Sequence, residues 1–214
     1  MLIATPALAG SGRDQLPNGA NPQYGFPTAP IYRPSDTTRC FDESLPDDKR
    51  VRYCKAALAS PLAREVVRAA DTLAAIYERE GDFTLALENY HIAQSLNAND
   101  SGATIGRCRT EAIAMKDVGA AAMDCDAAAQ AFPDDPAMLE ARGILRFRQN
   151  RTDAALGDFN AALAHDGKRA YALYMRSVIE RRGGNAAAAD SDTTAAVALD
   201  ANVKRALGDD GPAP

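Results

Sequence analysis

Apolar residues recur along most of this chain at the spacing of one helix face, and the pattern is clearest between residues 136 and 165. Two amphipathic stretches there are separated by Gln149 and Asn150. The second stretch places its small and apolar residues at positions i, i+3, i+4 and i+7, namely Ala155, Leu156, Phe159, Ala162 and Leu163. This period predicts two α-helices joined as a hairpin. Neither helix can bury its apolar stripe alone, so the hairpin must pack against neighbours.

Residues with known capping preferences mark the ends of these two helices. Asp134 or Asp135 is suited to cap the first helix, and Pro136 at the first helical position loses no hydrogen bond. Asn150 tolerates the left-handed conformation that often ends a helix. Thr152 is expected to cap the second helix.

The same alternation of helix and turn extends over most of the chain. A short helix is predicted from Asp47 to about Ala59, and a longer one from Ser60-Pro61 to about Glu80, where Gly81 ends it. Further helices are predicted from Asp82 or Phe83 onward and at about 100–115, 118–131, 135–149, 152–165, 169–182 and 185–199, with a short final turn at 202–207.

The first 37 residues show no such period. Residues 10–37 contain five prolines among Gly, Asn, Ser and Thr, and are predicted to form a disordered or extended leader. Ahead of them, Ala7-Leu8-Ala9 is similar to a signal-peptide cleavage site that follows a short apolar run. The run is shorter than a full signal peptide and lacks a charged start. Two interpretations therefore stay open, the remnant of a signal peptide and a plain flexible terminus. No stretch of the sequence is long enough to span a membrane.

Charge and composition limit the kinds of partner and site that the sequence predicts. The net charge is −5 over 214 residues, which argues against nucleic acid as a partner. There are two histidines and no CxxC motif, so the cysteine spacing matches no zinc pattern. No Ser-His-Asp or Cys-His arrangement and no glycine-rich phosphate loop after a strand is evident. We therefore predict no catalytic residue, no metal site and no cofactor.

The four cysteines are Cys40, Cys54, Cys108 and Cys125. An even number fits two disulfides, and two such bridges would imply an oxidising compartment. A bridge between Cys40 and Cys54 would tie the end of the leader to the first predicted helix. The alternative is four buried thiols in a cytosolic protein.

Comparison of the chain with itself reveals a period of 34 to 35 residues. A triad on the second helix of each hairpin recurs four times, as Ala86, Tyr90 and Ala93, as Ala121, Cys125 and Ala128, as Ala155, Phe159 and Ala162, and as Ala189, Thr193 and Ala196. The spacing resembles the tetratricopeptide repeat, whose period is about 34. The resemblance covers units at 67–100, 101–135, 136–169 and 170–203. No unit has the family's early tryptophan, and the last unit has Thr193 where an aromatic residue is usual.

This resemblance implies an all-α fold, a right-handed α–α superhelix of about four helical hairpins. An N-terminal capping helix region at 38–66 would precede the array, and a tail at 204–214 would follow it. The second unit carries one extra residue in its internal turn near Lys116. In that unit Cys108 and Cys125 fall where the two helices meet, which suits either a disulfide or a packed thiol pair. The chain is also similar to small exported bacterial proteins of this family, which implies a periplasmic or secreted location. A cytoplasmic location is the alternative.

In this family the first helices of the hairpins line a concave groove that binds peptides or protein segments. The groove positions carried over to this sequence are Asp71, Glu78, Arg109, Ile113, Glu140, Ile144, Phe147, Arg148, Tyr171, Tyr174, Arg181 and Arg182. Arginine interleaved with aromatic residues suits an extended peptide of acidic or aromatic character. The alternative is an ordinary solvated face. Asp71 and Ala75 stand where the family's chaperone-binding groove has Lys and Asn, so we do not expect binding of chaperone C-termini.

Charged residues also recur with the repeat. One repeat position is occupied by Arg107, Arg142 and Arg176, and another by Asp124, Asp158 and Asp192. These residues are predicted to pair as a structural ladder within or between repeats. The alternative is an anion-binding site.

Two functions follow from these observations. The first is a non-enzymatic scaffold that holds a protein or peptide segment in the groove. The alternative is a structural or oligomerisation component of a bacterial envelope assembly. The pattern does not favour an enzyme, and it leaves open the identity of the partner, the oligomeric state and the cellular process.

Overall fold

A computed structural model describes residues 33–114 and 118–208, and within these ranges the chain forms eleven α-helices and no strand. The helices are α1 (Pro34–Cys40), α2 (Asp47–Ala57), α3 (Ala63–Glu80), α4 (Phe83–Leu96), α5 (Ser101–Ala114), α6 (Val118–Ala131), α7 (Pro136–Arg148), α8 (Thr152–His165), α9 (Ala170–Arg182), α10 (Ala186–Leu199) and α11 (Val203–Leu207). The all-α class predicted from the helical period is confirmed. The extra residue predicted near Lys116 lies outside the described ranges.

Several helix ends follow the predicted signals. The Asp135 side chain caps α7 and accepts hydrogen bonds from the backbone N–H groups of Ala137 at 2.7 Å and Met138 at 3.3 Å. Asn150 has a φ of 58° in the turn after α7. Gly81 has a φ of 80° directly after α3. Both turns therefore use the left-handed conformation that Asn and Gly adopt most easily.

The chain becomes helical earlier than predicted. Helix α1 begins at Pro34, inside the segment predicted to be part of the leader. Proline costs no hydrogen bond at the first helical position, and Asp36 in the first turn favours the helix dipole. A disulfide from Cys40 to Cys54 then fixes α1 to α2. Residues 1–32, with the predicted cleavage-like site, lie outside the part of the chain that the structure describes.

Two further boundaries differ from prediction. Helix α3 begins at Ala63, because Ser60 organises the turn before the helix instead of capping it directly. The Ser60 hydroxyl donates to Oε2 of Glu65 at 2.6 Å across this turn. At α8 the N-cap position is held by Arg151, and Thr152, the predicted cap, is the first helical residue.

The helices pack in sequential pairs. Helix α3 packs on α4, α5 on α6, α7 on α8, and α9 on α10. The first helices of the pairs also contact one another in the order α3, α5, α7, α9, and each second helix contacts the first helix of the next pair. We call α3, α5, α7 and α9 the inner layer, and α4, α6, α8 and α10 the outer helices.

Glycines in the inner layer let aromatic rings of the outer helices approach closely. A Cβ at Gly106 in α5 would overlap the ring of Tyr90 from α4. A Cβ at Gly143 in α7 would lie 2.5 Å from Cε1 of Phe159 in α8. Phe159 is fully buried as a result. The two rings fill the space that a side chain at either glycine position would otherwise occupy.

Two disulfides cross-link neighbouring helices. Cys40–Cys54 joins α1 to α2 across 14 residues, and Cys108–Cys125 joins α5 to α6 across 17 residues. All four cysteines are buried. Disulfides that are part of a small protein's core are typical of oxidising compartments.

The last helix turns back across the inner layer. Helix α11 contacts α3 and α9, the two ends of that layer, as well as α10. A helix of five residues spans only about 7.5 Å, so both ends of the inner layer lie near each other and the layer is curved. The short final turn predicted at 202–207 is thus present as α11, and Ala206 and Leu207, within the predicted tail at 204–214, are buried against the core. Residues 209–214 lie outside the described ranges.

Candidate binding site on the inner layer

A cluster of four charged side chains and one tyrosine lies where the four inner helices meet. It consists of Glu78 from α3, Arg109 from α5, Glu140 from α7, and Arg169 and Tyr171 at the start of α9. We call these five residues the inner charge cluster. Glu78 is 1 % exposed and Glu140 is 2 % exposed, so both carboxylates depend on protein partners for their hydrogen bonds.

Arg109 connects the two carboxylates. Its Nε donates to Oε1 of Glu78 at 2.6 Å and its Nη2 to Oε2 at 3.2 Å, while Nη1 lies 3.6 Å from Oε1 of Glu140. The guanidinium carbon lies 5.4 Å from the centre of the Tyr171 ring. Burial would lower the pKa of Arg109, but the facing carboxylates, led by Glu78, hold it well above its ordinary value. The arginine is therefore a permanent cation that ties four helices together.

Glu78 receives two further hydrogen bonds from hydroxyl groups. Thr110 Oγ1 donates to its Oε2 at 2.7 Å, and Tyr90 Oη donates to the same oxygen at 3.3 Å. Burial and the nearby Glu78 charge raise the pKa of Tyr90, which keeps the phenol protonated as a donor. This side of the cluster is fully satisfied.

Glu140 anchors the beginning of α9. Its Oε1 accepts from Nη2 of Arg169 at 2.6 Å, and its Oε2 accepts from the backbone N–H of Ala172 at 3.0 Å. A carboxylate at a helix N-terminus is favoured by the free N–H groups and the helix dipole. Glu140 therefore sets where the fourth inner helix starts relative to the third.

Two buried donors of the cluster lack partners. Nε of Arg169 and Oη of Tyr171 make no hydrogen bond to any residue in 33–114 or 118–208. The same two residues, Arg169 and Tyr171, line a cavity of about 190 Å³. Its lining contains four cationic and three anionic side chains, namely Arg79, Arg109, Lys168 and Arg169 with Glu78, Glu140 and Asp200. The cavity therefore combines a small cationic excess with donors that can still donate a hydrogen bond to a ligand oxygen.

The predicted groove residues occupy different environments. Glu78, Arg109, Glu140 and Tyr171 belong to the inner charge cluster, and Arg181 and Arg182 are exposed at the end of α9. Arg181 pairs with Asp190 of α10 at 2.9 Å.

Several further predicted groove residues lie in the core. Ile144 is completely buried, and Phe147, Arg148 and Tyr174 are nearly so. The expectation that these four form an open surface is therefore corrected. Ile144, Phe147 and Tyr174 belong to the large apolar cluster that also contains residues of α5, α8 and α11, so they pack inside the array of helices. Arg148 instead donates through Nη1 to the backbone carbonyl of Ala112 at 3.0 Å.

A second cavity of about 370 Å³ lies at the C-terminal end of α9. It is lined by Tyr174, Ser177, Val178, Arg181, Arg182, Thr193 and Lys204. Three of these side chains are cationic, and they come from α9 and α11. Arg181 and Arg182 of the predicted groove therefore line this cavity, and Lys204 of α11 borders it.

The repeated arginines and aspartates face each other within each pair of helices. Arg107 in α5 bonds Asp124 in α6. The other two pairs have two hydrogen bonds each, Arg142 to Asp158 at 3.1 and 2.7 Å, and Arg176 to Asp192 at 2.6 and 2.9 Å.

Two of these arginines also reach the preceding pair of helices. Arg107 donates to Gln94 of α4 at 2.9 Å, and Arg176 donates to Asn160 of α8 at 3.0 Å. Each guanidinium therefore contacts its own pair and the one before it, which is the arrangement expected of a structural ladder. Hydrogen bonding to Asp158 raises the pKa of Arg142, and hydrogen bonding to Asp192 raises that of Arg176.

Some residues of the site were missed by reasoning from the sequence. Lys168 and Arg169 precede α9, whereas the predicted groove positions were confined to the helices themselves. The only available signal was two consecutive basic residues next to a helix start. Thr110 gave no signal, because its role depends on Glu78 reaching across from another helix.

Comparison of the chain with models of protein families and with curated proteins gives no match. Among the helices of residues 33–114 and 118–208, none combines the length and the apolar composition that a bilayer crossing requires. The same ranges contain no group of three or more His, Cys, Asp or Glu side chains arranged to hold a metal ion.

Proposed function

We propose that this chain is a non-enzymatic scaffold of the tetratricopeptide type that binds an acidic peptide or protein segment on its inner layer. The observation that carries the proposal is the cavity beside the inner charge cluster, where Nε of Arg169 and Oη of Tyr171 lack partners among the described residues. A carboxylate of the ligand would accept from these donors and from the ammonium group of Lys168. Buried unpaired donors are costly unless a ligand satisfies them.

The proposal includes the finer description of the fold. Four units at 67–100, 101–135, 136–169 and 170–203 would stack as a right-handed superhelix with the inner layer on its concave side. The sequential pairing of the helices and the contacts along α3, α5, α7 and α9 support this description. The repeat period of 34 to 35 residues supports it independently.

We also propose that the protein functions in the periplasm or outside a bacterial cell. The two buried disulfides support an oxidising compartment. The alternative is a cytoplasmic location, in which both pairs would be kept reduced. Measuring the thiol content of the protein isolated from its native cell under alkylating conditions separates the two.

Binding of labelled peptides to the full chain tests the proposed function. Short peptides with several Asp or Glu residues are compared with their Asn and Gln counterparts by fluorescence anisotropy. We expect the acidic peptides to bind and the neutral ones to bind at least about tenfold more weakly, because a charged hydrogen bond is lost. Equal affinity for both sets would contradict the proposal.

A matched pair of charge reversals localises the site. Lys168→Glu places a negative charge at the cavity, whereas Lys49→Glu makes the same change on the exposed surface of α2. We expect Lys168→Glu to weaken binding of the acidic peptide about tenfold or more and Lys49→Glu to leave it nearly unchanged. Equal weakening by both variants would indicate general charge attraction and not a site.

A structural or oligomerisation role is the second candidate, and one observation favours it. The outer helices expose large apolar side chains, of which Met123 in α6 is the most exposed at 76 %, with Leu96 in α4 at 48 % and Leu199 in α10 at 45 %. Light scattering coupled to size exclusion tests this role. A stable oligomer that Met123→Asp converts to a monomer, with peptide binding absent, would favour assembly over the scaffold.

A further inference from the structure

A larger cavity of opposite charge adjoins the one beside the inner charge cluster. It has a volume of about 600 Å³ and lies between α2, α3 and the end of α10. We call it the acidic cavity, because its charged lining consists of four carboxylates and two guanidinium groups, namely Glu43, Asp47, Asp71 and Asp200 with Arg50 and Arg79. This excess of carboxylates favours a positively charged group of a ligand.

The two cavities lie side by side along one face of α3. Ala75, Arg79 and Asp200 line both of them. Asp71 lies about one helical turn before Ala75 and lines only the acidic cavity, whereas Glu78 lies almost one turn after Ala75 and lines only the other. A ligand that extends along this face of the helix would therefore contact both cavities.

The two arginines of the acidic cavity are already bonded to one of its carboxylates. Arg50 Nη1 donates to Oδ1 of Asp47 at 3.2 Å, and Arg79 Nη2 donates to Oδ2 of the same residue at 2.9 Å. Glu43 and Asp71 make no ion pair with any residue in 33–114 or 118–208. These two carboxylates are therefore available to a cation from outside the chain.

Asp71 is the carboxylate that would gain most from a cation. Its Oδ1 is buried and accepts no hydrogen bond from the residues that the structure describes. Burial, together with the charge of nearby Asp100, raises the pKa of Asp71 to about 7. A positive group of a ligand at this position would oppose both effects and stabilise the charged form. Ile76 and Leu199 line the same cavity, and they offer apolar contact to the aliphatic stem of a lysine or arginine.

The adjoining cavity has the complementary deficiency. Tyr171 is 6 % exposed, and its Oη has no hydrogen-bond partner among the described residues. Nε of Arg169 is buried and unpartnered in the same sense, and the exposed Lys168 completes this lining. Buried donors and acceptors normally have partners. Unpaired donors thus lie at one end of this surface and an unpaired acceptor lies at the other.

We propose that the two cavities form one site for a bipolar segment of the partner, in which an acidic and a basic side chain lie close together. The carboxylate would accept from Arg169, Tyr171 and Lys168. The ammonium or guanidinium group would donate to Asp71 and Glu43. This inference rests on the proposed function of the inner layer, and it adds a second recognition element that selects among acidic partners.

Labelled peptides that differ in one charge test the second element. Two bipolar peptides carry one Asp and one Lys separated by one neutral residue, in either order, within a Gly–Ser background. Side chains two positions apart share a face of an extended segment and lie about 7 Å apart. The acidic peptide has Gln in place of Lys. Fluorescence anisotropy with the full chain is measured at about pH 8, where a carboxyl group whose pKa is about 7 is mostly charged.

We expect one of the two bipolar peptides to bind about fivefold or more tightly than the acidic peptide, because it gains a hydrogen bond between charged groups. Both orders are needed because the cavities do not fix the direction of the bound segment. Bipolar peptides that in both orders bind no better than the acidic peptide would overturn the proposal.

A matched pair of neutral replacements localises the cation. Asp71→Asn keeps the size of the side chain and removes the charge that Asp100 opposes, so the fold should be retained. We expect this variant to bind the bipolar and acidic peptides nearly equally. Asp126→Asn, at an exposed position of α6, should keep the fivefold preference. Glu43→Gln, at an exposed position of the acidic cavity, should lower the preference about twofold and serves if Asp71→Asn does not fold.

An unchanged preference in folded Asp71→Asn, or in Glu43→Gln where that variant replaces it, also overturns the proposal. If the acidic peptide still binds in that case and Lys168→Glu still weakens it, the proposed function stands without this inference. If neither the acidic nor the bipolar peptides bind the full chain, both fail.

Discussion

The pairs α5–α6 and α7–α8 make the same contact with different chemistry. Cys125 and Phe159 occupy equivalent positions on the outer helices, and Cys108 and Gly143 occupy equivalent positions on the inner ones. In the first of these pairs a disulfide joins the two positions. In the other, the aromatic ring fills the space that the glycine leaves. A covalent bond and close packing thus serve the same purpose at one repeat position. In α9–α10 that position has a hydrogen bond, from Thr193 to the Ser177 hydroxyl at 3.0 Å.

The ion pairs next to this contact also differ between α5–α6 and α7–α8. Asp158 of α8 accepts from both Arg142 and Arg146 and its side chain is 5 % exposed. The corresponding Asp124 of α6 is 47 % exposed. Glu111 stands at the repeat position of Arg146, so a carboxylate replaces the second cation. The α5–α6 pair therefore has weaker packing and weaker ion pairing, and the disulfide compensates for both.

The largest expected effect comes from removing the ring that holds α7–α8 together. Phe159→Ala should lower the free energy of unfolding by about 3–5 kcal/mol, because a fully buried side chain is replaced by a cavity. Urea denaturation followed by circular dichroism measures this loss. Leu96→Ala, at an exposed position of α4, is the control and should change stability by less than about 0.5 kcal/mol. A loss below about 1 kcal/mol for Phe159→Ala would show that packing does not hold this pair.

Removing the disulfide of α5–α6 should have a somewhat smaller effect. The double replacement Cys108→Ala with Cys125→Ala is expected to cost about 3 kcal/mol, because the bridge no longer restricts the unfolded chain. Hydrogen exchange should show faster opening of α5 and α6 with little change in α7 and α8. The double replacement at Cys40 and Cys54 serves as the control for losing a bridge elsewhere. If α7 and α8 lose protection as much as α5 and α6 do, the proposed division between the two pairs is wrong.

The two aspartates should differ in their contribution to stability. Asp158→Ala leaves two partly buried arginines without their shared acceptor and should lower the free energy of unfolding by about 2 kcal/mol. Asp124→Ala removes a half-exposed partner and should cost less than about 1 kcal/mol. Thermal denaturation of the two variants measures the difference directly. An unchanged melting temperature for Asp158→Ala would argue against the structural ladder.

The smallest expected effect is a dependence of the stability of the α5–α6 pair on pH. Burial raises the pKa of Glu111 from 4.5 to about 7, against the opposing effect of Arg107 and with the support of Asp124. Folding thus favours the protonated form of Glu111. The stability that this group contributes is complete below pH 4.5 and is lost as the pH rises through about 7. Burial and the nearby Asp100 raise the pKa of Asp71 to about 7 as well, with the same sign.

The Glu111→Gln variant isolates the first of these groups. The measurement uses buffers at pH 5 and pH 8. Between these two pH values the melting temperature of the variant should fall less than that of the unmodified chain. The corresponding difference in the free energy of unfolding is about 1 kcal/mol or less, because solvent screens the charge. Glu88→Gln, an exposed position on α4, is the matched control. Equal pH profiles for Glu111→Gln and the unmodified chain would exclude Glu111 as a source of the dependence.

Much of the helical organisation could be predicted because its causes are local. The helical period, the Asp135 cap and the left-handed Asn150 depend on residues within a few positions of one another. Two helix boundaries differed from the prediction. The start of α1 at Pro34 depends on the disulfide that fixes this helix, and the start of α3 at Ala63 depends on a turn whose side chains contact the helix that follows.

The accessible site could not be predicted in the same way. Whether Ile144 and Phe147 face a ligand or the core depends on long-range packing, because the apolar cluster that buries them extends from Ile105 to Leu207. The spacing of Val203, Ala206 and Leu207 contained a signal for α11, but five residues give too short a period to identify the surface on which this helix packs. The bond between Glu140 and Arg169 depends likewise on how the inner layer curves.

The contact of α11 with both α3 and α9 has a consequence for how such a protein can change in length. In an open array each repeat contacts only its neighbours, so a repeat can be inserted or lost with little effect on the others. Here a fifth hairpin placed in the middle would move α9 away from α3, and a five-residue helix could no longer reach both. The same closure couples the two ends of the array, which should make it unfold as one cooperative unit instead of fraying pair by pair. The number of hairpins is therefore set by the geometry of closure and not only by stacking.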